Sequence, residues 1–381
     1  MKLTRTPDSP SPSRGCWRRG SRRAGLVCAL LTFTALLSAC SGSGLDAASG
    51  AGKSRQDASE DTDWRNWDAE EWARDVDDFT NPVIDGLWEP ERMREARDPG
   101  KQVDSDIAEA QGVTDPEPTA VDAKRVGTPY HKNAAPVGKV FFDSPEGSQT
   151  CSGTVVKDPA RPGRSNLVWT AGHCVHAGQK GGWFRNIVFV PSFNDKGLSS
   201  AELETATAQE MLPFGTWWAD WAATSQQWIS NGTAQGGNGA PFDFAVLHVK
   251  PAPNSDGRSL EETVGAALPV AFNGPRVQDV SQVSAWGYPA AQPFDGSTMH
   301  NCSDEPGRLS LKNSEPTMYR IGCTMTGGSS GGGWFTIGAD GKTTLVSNTS
   351  IGPDPSVWLA GPYLGHTARN VFDEVSDRFA P

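Results

Sequence analysis

From residue 137 onward, short apolar runs alternate with turns rich in Gly and Pro. The runs span 137–142, 151–156, 167–170, 187–190, 243–249, 280–288, 318–323, 334–337 and 343–350. Short β-branched and aromatic runs bounded by turn residues read as strands, and a series of them predicts an all-β sandwich or barrel. The chain ends differently. Ala368, Val371, Phe372, Val375 and Phe379 follow a helical period and predict a terminal amphipathic helix. Residues 195–240, with Trp217, Trp218, Trp221 and Trp228, fit no strand pattern and read as a long surface insertion packed by its own aromatics.

Ahead of the strands the pattern changes twice. Residues 24–37 form an apolar run too short for a membrane span and suited to a signal peptide. Trp64, Trp67, Trp72, Val76 and Phe79 then share one face of a helical period whose opposite face is acidic, and Asn81-Pro82 ends it. This is either an acidic stalk or a prosegment that docks its tryptophans on the folded region. The Pro- and acid-rich stretch to Asp122 reads as linker.

Composition sharpens this picture. The chain has 381 residues, 42 Gly, 28 Pro and a net charge of −11. The excess acid lies in residues 46–125, and the acidic balance argues against a nucleic-acid partner. Of seven cysteines, Cys16, Cys28 and Cys40 fall in the first forty residues. Cys151, Cys174, Cys302 and Cys323 fall among the strands and allow three pairings.

The chemistry centres on Thr326-Gly327-Gly328-Ser329-Ser330-Gly331-Gly332-Gly333-Trp334. By composition alone this is a flexible linker, but strand-like flanks on both sides argue otherwise. Glycines free the backbone to present a serine hydroxyl beside converging N–H groups, as acyl transfer requires. Trp169-Thr170-Ala171-Gly172-His173-Cys174 supplies a base, and Asp243 opens a later run with an acid. Rivals stand beside each: His176 as base, Asp220 as acid and Ser329 as nucleophile. The order His, Asp, Ser is that of the chymotrypsin-like barrels.

Here the sequence resembles a known family, the chymotrypsin/trypsin-like serine peptidases. Thr170-Ala171-Gly172-His173-Cys174 is similar to the family's histidine motif. Gly328-Ser329-Ser330-Gly331-Gly332 is similar to its serine motif, with Ser329 where trypsin relatives have Asp. Cys151-Ser152-Gly153-Thr154-Val155-Val156 resembles the strand that carries the partner of the cysteine after the histidine. The serine motif resembles that of the bacterial glutamyl-endopeptidase-like branch and its secreted actinobacterial relatives more than that of trypsin. The resemblance spans about 126–381. It implies two six-stranded β-barrels with the site between them and the terminal helix docked on the second.

It also implies His173, Asp243 and Ser330 as catalytic residues and the N–H groups of Gly328 and Ser330 as an oxyanion hole. Cys151 would bridge Cys174, leaving Cys302 with Cys323. Thr324 stands where trypsin relatives carry a specificity Asp, and Ser347, within Val346-Ser347-Asn348, stands at the expected pocket wall. Because Ser329 replaces the Asp that captures a freed amino terminus, trypsin-style activation after the dibasic pair Lys124-Arg125 is not expected, although a cut there is an open alternative.

The resulting expectation is a serine endopeptidase acting on polypeptides, with no cofactor and no metal, as a monomer. Residues 1–39 would be a signal peptide of lipoprotein type, because Leu37-Ser38-Ala39-Cys40 resembles a lipobox and Cys40 would carry the lipid. Residues 40–125 would be tether and prosegment or stalk. The protein would then sit outside the cytoplasm, anchored to the membrane. The alternative from another class is a surface-anchored binding module on an inactive or self-inhibited protease fold.

Overall fold

Residues 79–381 are described by the computed structural model, except 80, 82, 85, 100, 104–111, 234–235, 252–255 and 339. The expected signal peptide, the lipidated Cys40, the tether and the helix carrying Trp64, Trp67, Trp72 and Val76 lie outside the described residues. Phe79, the last residue of that helical pattern, is described and packs edge-on against Trp183 and Trp221.

Six strands close into a barrel: β1 (Val137–Ser144), β2 (Gly147–Val156), β3 (Leu167–Thr170), β4 (Arg185–Pro191), β5 (Trp217–Thr224) and β6 (Ala245–Pro251). Their order is β1-β2-β3-β6-β5-β4, antiparallel throughout. Alternation along β1 shows how the barrel is filled. Val140 and Phe142 point into a core with Val155, Val168 and Leu247, while Phe141 faces outward. Phe141 is nevertheless fully buried, because Trp88 lies against it with ring centroids 5.5 Å apart.

The reading of 195–240 as a surface insertion is corrected here, because Trp217, Trp218 and Trp221 belong to barrel strand β5. A bulge between Ala219 and Trp221 resets the side-chain alternation within the strand. Both faces are also largely covered, so no period-two pattern survives in the sequence. Trp228 lies beyond it on the short helix Gln226–Asn231.

The second half was expected to be another closed barrel. Instead it forms two sheets. Strands β7 (Val283–Gly287), β8 (His300–Asp304), β11 (Gly333–Ile337) and β12 (Thr343–Asn348) make one, in the order β12-β11-β7-β8, with Lys124–Arg125 added at its edge. Strands β9 (Gly307–Leu309), β10 (Met318–Gly322) and β13 (Trp358–Gly361) make the other. Val283, Ala285, Ile321, Trp334 and Leu359 belong to one apolar cluster drawn from both sheets. Cys302 on β8 bridges Cys323 just after β10, so a disulfide joins the two sheets.

The stretch read as linker is partly bound to this half. Asp115 takes a forked ion pair from Arg308 at 2.9 and 2.6 Å, and Thr324 N–H donates to Val121 O. Lys124 and Arg125 pair with Asn301 and His300, so a cut at the dibasic site requires that edge to open first.

The terminal helix spans His366–Arg378 and buries Ala368, Val371, Phe372 and Val375, as the periodicity predicts. Its seat is corrected: it packs on β5 and β6 of the closed barrel rather than on the second half. Phe379 stacks on His248 of β6 at 3.6 Å between centroids, and Arg378 lies over Trp221 of β5. An apolar helical stripe needs an apolar face to cover, and these strands offer one. Phe372 also packs on Phe272. Phe372→Ala is expected to destabilise the protein by about 3–5 kcal/mol, read as a lower urea midpoint with an unchanged slope.

Candidate active site

Asp243 follows the turn Ala240–Phe242 and lies two residues before the start of β6, and its carboxylate is fully buried. Oδ1 accepts the backbone N–H of His173 at 2.8 Å. Oδ2 faces His173 Nδ1 at 2.7 Å, accepts the Ser350 hydroxyl at 2.5 Å and lies 3.4 Å from Lys101 Nζ. Its backbone carbonyl accepts from Asn348 Nδ2, and Asn348 Oδ1 accepts in turn from Trp169 Nε1 on β3. Burial alone would raise the Asp243 carboxyl. The charges of His173 and Lys101, with the hydrogen bonds from His173 and Ser350, outweigh it and hold the group well below the usual carboxylate range.

His173 sits in the single turn Gly172–Cys174 that ends β3. The disulfide Cys151–Cys174 ties this turn to β2. A Cβ on Gly172 would meet Thr224 Oγ1 at 2.7 Å and the Trp228 ring at 2.9 Å, so the turn packs too closely for any other residue. With Nδ1–H directed at Asp243, Nε2 carries the lone pair. Nε2 is buried and, among the described residues, has no hydrogen-bond partner.

The glycine-rich run is a turn between β10 and β11. Gly328 and Gly331 take φ of +88° and +75°, which L side chains rarely adopt. A Cβ on Gly331 would lie 2.8 Å from Ala171 N, which sets the serine turn against the histidine turn. Ser152 on β2 fastens it: its N–H donates to Ser330 O and its hydroxyl to Gly328 O. Gly331 N–H donates to Thr349 O, next to Ser350. Among the described residues, neither the Gly328 nor the Ser330 N–H donates to a protein acceptor.

The rival residues take other places. Ser329 is buried and its hydroxyl donates to Thr326 O at 2.6 Å, whereas Ser330 Oγ makes no hydrogen bond among the described residues. His176 is pushed down to about 4 by burial, accepts from Gly178 N–H and lies edge-on to Trp183. Asp220 pairs with His248 on the flank covered by the terminal helix. Cys151, His173 and Cys174 have metal-ligand spacing, but both sulfurs are joined in the disulfide. The Thr324 hydroxyl accepts from Ala123 N–H, and the Ser347 hydroxyl donates to Pro362 O.

Sequence reasoning missed Ser350 and Lys101, both bonded to Asp243. A serine at the end of a strand and a lysine in an acidic stretch carry no signal of their own. Asn348 was visible only as a neighbour of Ser347.

No protein-family model matches the sequence, and a search of curated proteins returns no relative. Solved structures do match. A thermostable serine protease, AL20, from an extremophilic microorganism is 31% identical, over 64% of this chain and 98% of that one, with a TM-score of 0.51. Protease Anisep from Arthrobacter nicotinovorans is 27% identical, over 66% of this chain and 99% of its own, with a TM-score of 0.50. A barrel with this site and this likeness defines the class: the chain belongs to the chymotrypsin-like serine proteases.

Ser350→Ala leaves a buried carboxylate short of one donor, and is expected to cost about 1.5–3 kcal/mol of stability in denaturant melts. The depressed Asp243 carboxyl also sets an acid limb. Its contribution is complete above the unfolded value of about 4 and is lost as pH falls toward the lower folded value. Asp243→Asn is expected to flatten stability against pH below about 4, measured by urea unfolding across that range.

Proposed function

We propose that the chain is a serine endopeptidase. The observation that carries this reading is the buried His173–Asp243 pair, whose Nε2, unpartnered among the described residues, lies among elements held against the serine turn. In this reading Ser330 Oγ attacks a peptide carbonyl carbon while His173 Nε2 takes its proton. Asp243 holds the imidazole in the required tautomer and stabilises its charged form. The N–H groups of Gly328 and Ser330 receive the developing oxyanion, and one such donor typically contributes about 3–4 kcal/mol to lowering the barrier. The imidazolium then protonates the leaving amine, and water, activated by the same histidine, hydrolyses the acyl-enzyme.

In this reading Thr324 and Ser347 stand at the substrate pocket, each held in place by a hydrogen bond within the fold, to Ala123 N–H and Pro362 O respectively. The two disulfides fit an extracytoplasmic setting, with Cys40 as the proposed lipid anchor.

A fluorophosphonate probe tests the reading on the full chain. Because the label is covalent, slow reaction still accumulates. Wild type and Ser329→Ala are expected to label, Ser330→Ala not at all, and Asp243→Asn about 10⁴-fold more slowly. Labelling that persists in Ser330→Ala, or a wild type that never labels, would refute it.

A further inference from the structure

The chain crosses its own candidate site. Arg97 lies beside β2: its N–H donates to Ser148 O, and its carbonyl accepts from Thr150 N–H. Asp98 then meets the serine turn, where a Cβ on Gly327 would lie 2.0 Å from Asp98 Oδ1. Lys101 reaches the dyad. Its side chain is buried, with Nζ 3.4 Å from Asp243 Oδ2 and 3.8 Å from the centre of the Trp228 ring, which itself neighbours His173. Gln102–Val103 then pair in parallel with Gly352–Pro353, just beyond Ser350, and Gln102 O accepts from Gly236 N–H. Val103 is buried in an apolar cluster with Leu309, Met318, Ile351 and Trp358.

Arg97, Asp98, Lys101, Gln102 and Val103 therefore touch β2, the serine turn, the His–Asp pair and the strand edge beside Ser350 in succession. An incoming polypeptide that adds a strand to an exposed edge needs unpaired backbone groups there. At 352–353 that edge is already paired, and beside it a lysine fills the space against Asp243 and Trp228.

The segment is anchored upstream as well. Asn81 exchanges hydrogen bonds with the backbone of Ile187 and reaches Ala219 O. Trp88 Nε1 donates to Asn186 O, and Arg92 pairs with Asp143. None of these anchors is part of the proposed chemistry.

We propose that Arg97, Asp98 and Lys101–Val103 form a built-in plug, a part of the chain itself held across the catalytic cleft in place of a polypeptide substrate. The proposal rests on the proteolytic reading above and assigns regulation to the same site: activity waits on displacement of this segment.

The test uses the full chain with Val103→Asp, which places a charge in the apolar cluster, and with Trp88→Ala, which removes an anchor far from the chemistry. Two readouts are taken: hydrogen exchange at the Gly236 amide, which reports docking whether or not the enzyme works, and the rate of fluorophosphonate labelling. Wild type is expected to protect Gly236 and label at least about tenfold more slowly than either variant, in which that protection is lost. Equal labelling rates, or a Gly236 amide that exchanges freely in wild type, overturn the plug. If Gly236 is protected in wild type and freed in the variants but no chain labels, the segment docks as described while the proteolytic reading fails, and the inhibitory role falls with it.

Discussion

Burial of one carboxylate constrains the rest of this structure. An ionised Asp243 removed from water is tolerable only if its oxygens are paired and hydrogen-bonded. Its partners come from three separate parts of the chain: the turn after β3, the segment after β12, and Lys101. Asn348 fixes the backbone at the same point and reaches across to Trp169 in the closed barrel. The barrel and the two-sheet half are thus joined by hydrogen bonds that the carboxylate needs. The joint between them and the geometry of the candidate site are one structural problem.

The serine turn answers a second constraint, close approach. Gly331 lies against Thr170, Ser152 and Ala171, and Gly332 against the Trp286 carbonyl, in spaces no side chain could share. This is why a run that reads as linker by composition is a fixed turn. Its glycines are demanded by neighbours and by positive φ at 328 and 331, not by flexibility.

The same contrast explains what the sequence could reveal. Barrel strands at 151–156 and 167–170 and the helix ending at Arg378 announce themselves because their apolar periods are local. The motifs around His173 and Ser330 are legible because a tight turn needs its small residues contiguous. Strand β5 was hidden by its bulge and by burial on both faces. The second half opens into two sheets because strand closure depends on pairings that no local pattern encodes. Ser350 and Lys101 were invisible for a related reason: each meets Asp243 across more than a hundred residues of chain.

Lys101 shows which part of its segment holds and which part resists. Burial drags its amine down to about 8, although the charge of Asp243 and a hydrogen bond to it pull the other way. Desolvating the ammonium thus costs more than the carboxylate returns. The side chain is not drawn into the site by its ion pair. It is carried there by what flanks it, the buried Val103 and pairing edge on one side and the Trp88 and Asn81 contacts on the other. A segment held at both ends against an unfavourable centre has no reason to release by halves. Once either end lets go, the lysine gains water by leaving. Its departure removes one of the two positive charges that depress the Asp243 carboxyl. A His173 that took a proton from a serine would then be that carboxylate's remaining charged partner, which is the role the aspartate plays in such a triad.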